Sequence, residues 1–228
     1  MSNQYDAIII GTGIIGGAIG LELARKGFRT LNIDKLPAAG YGSTSNTCAI
    51  IRFHYSTAEG VAMARESYYY WLDWPKHIGA LDESGLAHYV NTGCLVIKED
   101  GNNHCKPVMA HLDRLKVAYE ELGPKELEEF LPYFDCRRFG PPVLAEDSRF
   151  GQPTGDEVPG ALYIPESGYI NDPQLACHNP QRGCEARGGR FLFNSEVVEI
   201  LAEDGRTTGV KLADGTEVLA PVVVNAAG

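Results

Sequence analysis

The sequence has no apolar run near the length that crosses a bilayer and no excess of positive charge. The first absence excludes a membrane-spanning helix. The second weighs against nucleic acid and anionic membrane as partners. The formal net charge is −10, and phosphate backbones and lipid headgroups are themselves negative. The opening residues, Met1 to Asp6, are polar and lack the basic start and cleavage site of an export signal. The six cysteines (Cys48, Cys94, Cys105, Cys136, Cys177 and Cys184) are scattered, with no C-x-x-C. They are expected as reduced thiols of a cytoplasmic protein. Cys177, His178 and Cys184 match no common zinc spacing, so no metal is expected.

What is present is apolar content of 44% over 228 residues. That is enough for one sizeable core, or for one domain and part of a second. Residues 7–10 form a short apolar run and read as a buried parallel strand. Residues 14–26 carry apolar side chains at helical spacing, and Gly27 stops that helix. Residues 30–33 are a second strand, which completes a βαβ crossover. A loop of small residues spans 38–47, and a helical pattern follows over 58–74. Its three tyrosines, Tyr68 to Tyr70, cannot share one helix face.

Further on, residues 89–97 are expected as a strand, 108–122 and 125–131 as helices, and 139–160 as an irregular connection. Residues 161–164 form a strand, and 173–187 a helix that Pro180 must shorten or kink. A meander is expected from strands 190–193, 197–201, 209–212 and 217–219. Asp204-Gly205 and Asp214-Gly215 supply its tight turns. A last apolar run, 222–224, precedes Asn225-Ala226-Ala227-Gly228.

The chemistry begins at Gly11-Thr12-Gly13-Ile14-Ile15-Gly16, a G-x-G-x-x-G between a strand and a helix. Gly11 permits the tight turn, Gly13 lets the main chain approach a pyrophosphate, and Gly16 lets the helix pack against the strand. The free amides and positive end of the helix hold phosphates. Asp34, at the end of the second strand, accepts hydrogen bonds from ribose hydroxyls and repels a 2′-phosphate, which disfavours NADP. The crossover alone does not separate FAD from NAD.

Gly11, Gly13, Gly16, Gly20, Leu23 and Gly27 extend the motif in the manner of two-dinucleotide flavoproteins. The run Val222 to Gly228 (VVVNAAG) is similar to the second signature of those proteins. The segment from Gly42 to Arg52, which ends in Ile-Ile-Arg, and Ser167 to Ala176 (SGYINDPQLA) are more specific. Together these motifs resemble the D-amino-acid oxidase superfamily, and within it the sarcosine oxidase and dimethylglycine dehydrogenase-like enzymes. The resemblance spans almost the whole chain and corresponds to the N-terminal part of such enzymes.

It implies an α/β fold: a Rossmann-like FAD-binding domain, with a parallel sheet plus a β-meander, and part of an inserted α+β substrate domain. The expected boundaries are 1–83 and 168–228 for the first and 84–167 for the second. The implied cofactor is FAD. Ile14 and Ile15 present amides to the pyrophosphate, Asp34 and Lys35 lie at the ribose, and Gly42, Ser43 and Thr44 line the flavin side. Val197 offers main-chain groups to adenine, and Ala227 and Gly228 approach the cofactor. Several relatives carry histidine or arginine in the flavin loop where this chain has Ser45 and Ala49. Non-covalent FAD is therefore expected from this half.

The implied reaction is oxidation of a secondary or N-methyl amino acid by hydride transfer to the flavin, with Arg52 holding the substrate carboxylate. Its planar fork suits bidentate recognition, although an Arg there also has the alternative of pairing with a nearby acid. His54 and Tyr55 read as packing residues, and Cys48 as a small loop residue before a reactive thiol. A hydroxy-acid or glycerol-phosphate dehydrogenase on the same scaffold, or a non-catalytic FAD-binding subunit or fragment, stands as the alternative. Family members continue beyond this length, so a C-terminal half is expected from the same frame or from a second chain.

Overall fold

The computed structural model describes residues 4–99 and 104–228. In chain order the elements are β1 (Ala7–Ile10), α1 (Ile14–Arg25), β2 (Thr30–Ile33), β3 (Ile50–Ile51), α2 (Ala58–Leu72) and α3 (Trp74–Ile78). Next come β4 (Tyr89–Asn91), β5 (Cys94–Ile97), α4 (Cys105–Leu115), β6 (Glu120–Leu122), α5 (Pro124–Phe130), β7 (Ala161–Ile164) and β8 (Gly168–Ile170). The chain closes with α6 (Leu175–Glu185), β9 (Arg190–Leu192), β10 (Val197–Glu203), β11 (Arg206–Leu212), β12 (Glu217–Leu219) and β13 (Val223–Asn225). Two compact units result. The first comprises Met1–Ile50, Tyr70–Val90 and Ile170–Gly228, and the second Ile51–Tyr69 and Asn91–Tyr169.

The first unit is built on a parallel sheet of order β13-β1-β2-β9. β1 is its centre because both faces of Ala7–Ile9 are apolar and buried. Ile8 lies opposite Val223 on one side and Leu31 on the other. An antiparallel meander, β10-β11-β12, packs its buried side chains on this sheet. Ile8, Leu31, Ile33, Val210, Leu212, Val218 and Ala220 form the shared core. Helices α1 and α6 meet where Gly17 lies beside Pro180, at ordinary van der Waals distance.

A buried polar knot joins three segments of this unit. The Asn179 amide oxygen accepts the Trp74 indole N–H and the Ala87 amide, each at 2.9 Å. Its amide nitrogen donates to Asp82 at 2.7 Å and to the Gly85 carbonyl at 2.9 Å. Asn179 is fully buried, and all four of its hydrogen-bonding positions are satisfied.

The second unit holds an antiparallel sheet of order β5-β7-β6. One core gathers Phe53, Val61, Val108, Leu112, Val117, Leu162 and Ile164. A smaller one gathers Leu127, Cys136 and Ala161. The stretch between α5 and β7 is irregular, with one isolated bridge between Arg137 and Glu157.

Four expectations are corrected. The helix expected over 108–122 ends at Leu115, where Lys116 turns left-handed at φ +54°, and 120–122 is strand β6. Pairing with β7 decides the matter there, with Glu121 opposite Leu162. The strand expected over 89–97 is two strands, because Gly93 sits at φ +71° and breaks the ladder. The helical pattern over 58–74 stops at Leu72 and restarts at Trp74, where Pro75 has no amide to continue the bonding. Residues 190–192 join the parallel sheet beside β2, with Asn32 opposite Phe191, and not the meander. Pro180 is accommodated inside α6, which begins at Leu175 where Asp172 accepts the first amide at 2.9 Å.

Candidate cofactor cleft

The C-terminal ends of β1, β2 and β13 converge on one opening, as the switch point of a parallel sheet requires. At its floor Gly11 adopts φ +95°, and a Cβ there would reach to 2.5 Å from the Ala226 carbonyl oxygen. Only glycine allows that approach. Gly16 lies beneath, where a Cβ would collide with the Gly11 carbonyl. Helix α1 has Gly13 at its N-cap, which offers no side-chain cap. The hydroxyl of Thr44 accepts the Ile14 amide instead, at 3.3 Å. By helix geometry the amides of Ile15 and Gly16 also lack an intrahelical acceptor.

The walls come from three further segments. The loop over 38–47 is tied to the glycine turn by the Gly40 amide, which donates to the Thr12 carbonyl at 3.0 Å. The link from β9 to β10 is tied to the end of β2 by the Ser195 amide on the Asp34 carbonyl at 2.9 Å, and by Asn194 on Leu36 at 3.1 Å. The end of β13 is tied to β1 by the Ala226 amide on the Ile10 carbonyl at 2.8 Å.

The cleft so formed measures about 570 Å³. Of the residues expected at a cofactor, Gly11, Gly13, Ile14, Ile15, Asp34, Lys35, Gly42, Ser43, Thr44, Val197, Ala227 and Gly228 line it together. Gly16 does not line it and packs below. Residues not anticipated also line it: Ile10, Ile33, Leu36, Thr47, Ser195, Glu196 and Ala226. Ser195 and Glu196 adjoin Val197 in sequence, and that adjacency was the available signal. The contents of the cleft suit a dinucleotide: amide donors for phosphates, a carboxylate for a ribose, and apolar surface from Ile10, Ile33 and Val197 for a base.

Arg52 belongs to the second unit and is exposed. Its guanidinium donates to His54 Nε2 at 3.1 Å and lies 5.2 Å from the centre of the Tyr55 ring. Among the described residues no carboxylate pairs with it. Because a guanidinium only donates, Nε2 accepts and the His54 proton sits on Nδ1, which is buried without a partner. Burial pushes the His54 pKa down, and the nearby Arg52 and His104 charges add to the effect. Cys48 is exposed, whereas burial pushes the Cys177 thiol up to about 12 despite a hydrogen bond from Thr44.

The sheet order, the glycine turn and the lined cleft define a dinucleotide-binding α/β protein. Its profile match is to the FAD dependent oxidoreductase family over residues 6–228. The chain belongs to that family, whose cofactor is FAD. It is 24% identical to N-methyl-L-tryptophan oxidase from Yersinia pestis (strain Pestoides F) across 98% of this chain and 53% of that protein. It is 32% identical to monomeric sarcosine oxidase from Bacillus sp. (strain B-0618) across 45% of this chain and 25% of that protein. Among solved structures, L-proline dehydrogenase from P. horikoshii superposes with a TM-score of 0.78 at 24% identity, covering 99% of this chain and 53% of that one. Glycine oxidase from Geobacillus kaustophilus gives 0.74 at 20% identity, over 100% of this chain and 56% of that one. The chain thus spans about half the length of the relatives it matches end to end, and its aligned segment covers a quarter of the sarcosine oxidase. No helix among the described residues is long and apolar enough to cross a membrane.

Proposed function

We propose that the cleft binds FAD non-covalently and that the whole protein oxidises a secondary or N-methyl amino acid of the sarcosine type. The observation that carries the first part is the convergence of twelve expected cofactor residues on one opening of suitable size. Ile15 presents its amide to the pyrophosphate, Ile14 does so once phosphate replaces the Thr44 hydroxyl as its acceptor, and Asp34 and Lys35 meet the ribose. Val197 meets adenine through its main chain. Gly42, Ser43 and Thr44 face the flavin side, and Ala227 and Gly228 close against the cofactor. Bound flavin supplies the hydride-accepting chemistry, and the protein supplies position.

The substrate class rests on the relatives named for N-methyl-tryptophan and sarcosine, and on Arg52. Arg52 is exposed with no carboxylate partner among the described residues, so its fork is available for a substrate carboxylate. The six free cysteines fit a cytoplasmic setting. The C-terminal half of the enzyme comes from the same frame or a second chain.

The test is steady-state kinetics of the complete enzyme with sarcosine, other N-methyl amino acids, and the corresponding amines without a carboxylate. Arg52→Ala is expected to raise KM for the carboxylate substrates at least tenfold, since a charge-assisted pair is worth about 1.5–3 kcal/mol. Unchanged KM removes Arg52 from this role, and no turnover of any N-methyl amino acid removes the substrate class.

A further inference from the structure

Thr12, the first variable residue of the glycine turn, is fully buried. Its amide N–H and its hydroxyl both donate to the same atom, Asp34 Oδ2, at 2.8 Å each. The Leu36 amide donates to the other oxygen, Oδ1, at 3.0 Å. Each carboxylate oxygen offers about two lone-pair positions. Oδ2 is therefore filled, and Oδ1 keeps one position. Rotation of the carboxylate would break all three bonds together.

We infer that Thr12 is a positioning residue that makes Asp34 a single-point acceptor, presenting one lone pair of Oδ1 to one hydroxyl of the adenosine ribose. The inference rests on the reading of the cleft as an FAD site. It deepens that reading, because an acid at this position, left free, accepts from two neighbouring hydroxyls through two oxygens. With Oδ2 filled by Thr12, the second hydroxyl gains nothing from Asp34. A phosphate on the recognised hydroxyl brings only acceptor oxygens and negative charge to a carboxylate that cannot turn away. Valine at 12 would keep the shape and remove the hydroxyl, which frees one position on Oδ2 and lets the carboxylate swing. Serine would keep the bond.

The experiment uses the full chain. FAD binding is titrated by flavin fluorescence, and ADP, 2′-deoxy-ADP and 3′-deoxy-ADP are competed against it. One deoxy analogue is expected to bind about tenfold more weakly than ADP, the scale of one hydrogen bond to a charged group, while the other stays within about twofold. Thr12→Val is expected to weaken FAD severalfold and to shrink the difference between the two analogues. Thr12→Ser restores both. In an Asp34→Asn background, Thr12→Val adds nothing further, an outcome that a purely structural role for Thr12 does not give. Equal losses for the two deoxy analogues in the unsubstituted chain overturn the single-point geometry and leave the FAD site standing. Thr12→Val with unchanged FAD affinity and unchanged selectivity overturns the role of Thr12 alone. Failure of the unsubstituted chain to bind either FAD or ADP removes the cofactor reading and this inference with it.

Discussion

The Thr44 hydroxyl accepts the main-chain amide of Ile14 at 3.3 Å, so a loop thirty residues away caps a helix that has no cap of its own. The same contact closes the cleft wall onto the N-terminal end of α1. Loop position and helix start are thereby coupled.

Thr44→Val is expected to lower stability by about 1 kcal/mol in the absence of cofactor, the usual value of a lost N-terminal cap. Thr44→Ser should remain within a few tenths of the parent. Urea unfolding followed by circular dichroism reads both. Equal midpoints for the valine and serine variants would show that the cap contributes nothing.

Two adjacent glycines of α1 should respond in opposite ways. At Gly16 an added Cβ drives into the Gly11 carbonyl, which is main chain and cannot yield. Gly16→Ala is expected to cost about 1–3 kcal/mol and to impair FAD retention. At Gly17 a Cβ would lie 3.6 Å from that of Pro180, an ordinary contact, so Gly17→Ala should be neutral or gain about 0.5–1 kcal/mol from helix propensity. Thermal unfolding of the two variants separates them.

Thiol chemistry should divide Cys48 from Cys177. Cys48 is exposed, while Cys177 is buried with its pKa pushed up to about 12, so almost none of it is thiolate at neutral pH. Iodoacetamide at pH 7.5 with peptide mapping is expected to modify Cys48 in the native chain and Cys177 only after denaturation. Native labelling of Cys177 would contradict its buried placement against Gly40.

His54 supplies a pH dependence of known sign. Its folded pKa lies below the ordinary 6.5, chiefly through burial, so the unfolded chain takes up this proton more readily. Its contribution to stability is complete above about 6.5 and is lost as the pH falls toward the folded pKa. Arg52→Ala removes one of the depressing charges and should raise the His54 pKa, while burial and His104 keep it below 6.5. Histidine proton titration by NMR in the two chains checks this, and a fall in the Arg52→Ala chain would contradict it.

The crossover from β1 to β2 was legible because its signals are local: an apolar run, a glycine turn, helical spacing and a stop at Gly27. The tight turns at Asp204-Gly205 and Asp214-Gly215 were legible for the same reason, since they sit between β10, β11 and β12. Strand β6 was not, because Glu120 and Glu121 have no strand pattern of their own and pair only through β7. Strand β9 read as meander because parallel pairing with β2 leaves no mark in the residues between them. At the cleft, residues adjoining glycine signals were readable one by one. Glu196 arrives through contacts of Ser195 and Asn194 with the end of β2, which only the folded chain reveals. The Thr12 clamp on Asp34 joins residues twenty-two positions apart by side-chain geometry that no spacing rule encodes.

FAD binding by this cleft is read from the visible absorption spectrum of the purified chain after incubation with FAD and desalting. A retained flavin spectrum at close to one FAD per chain is expected. A chain that is folded by circular dichroism but colourless would contradict it.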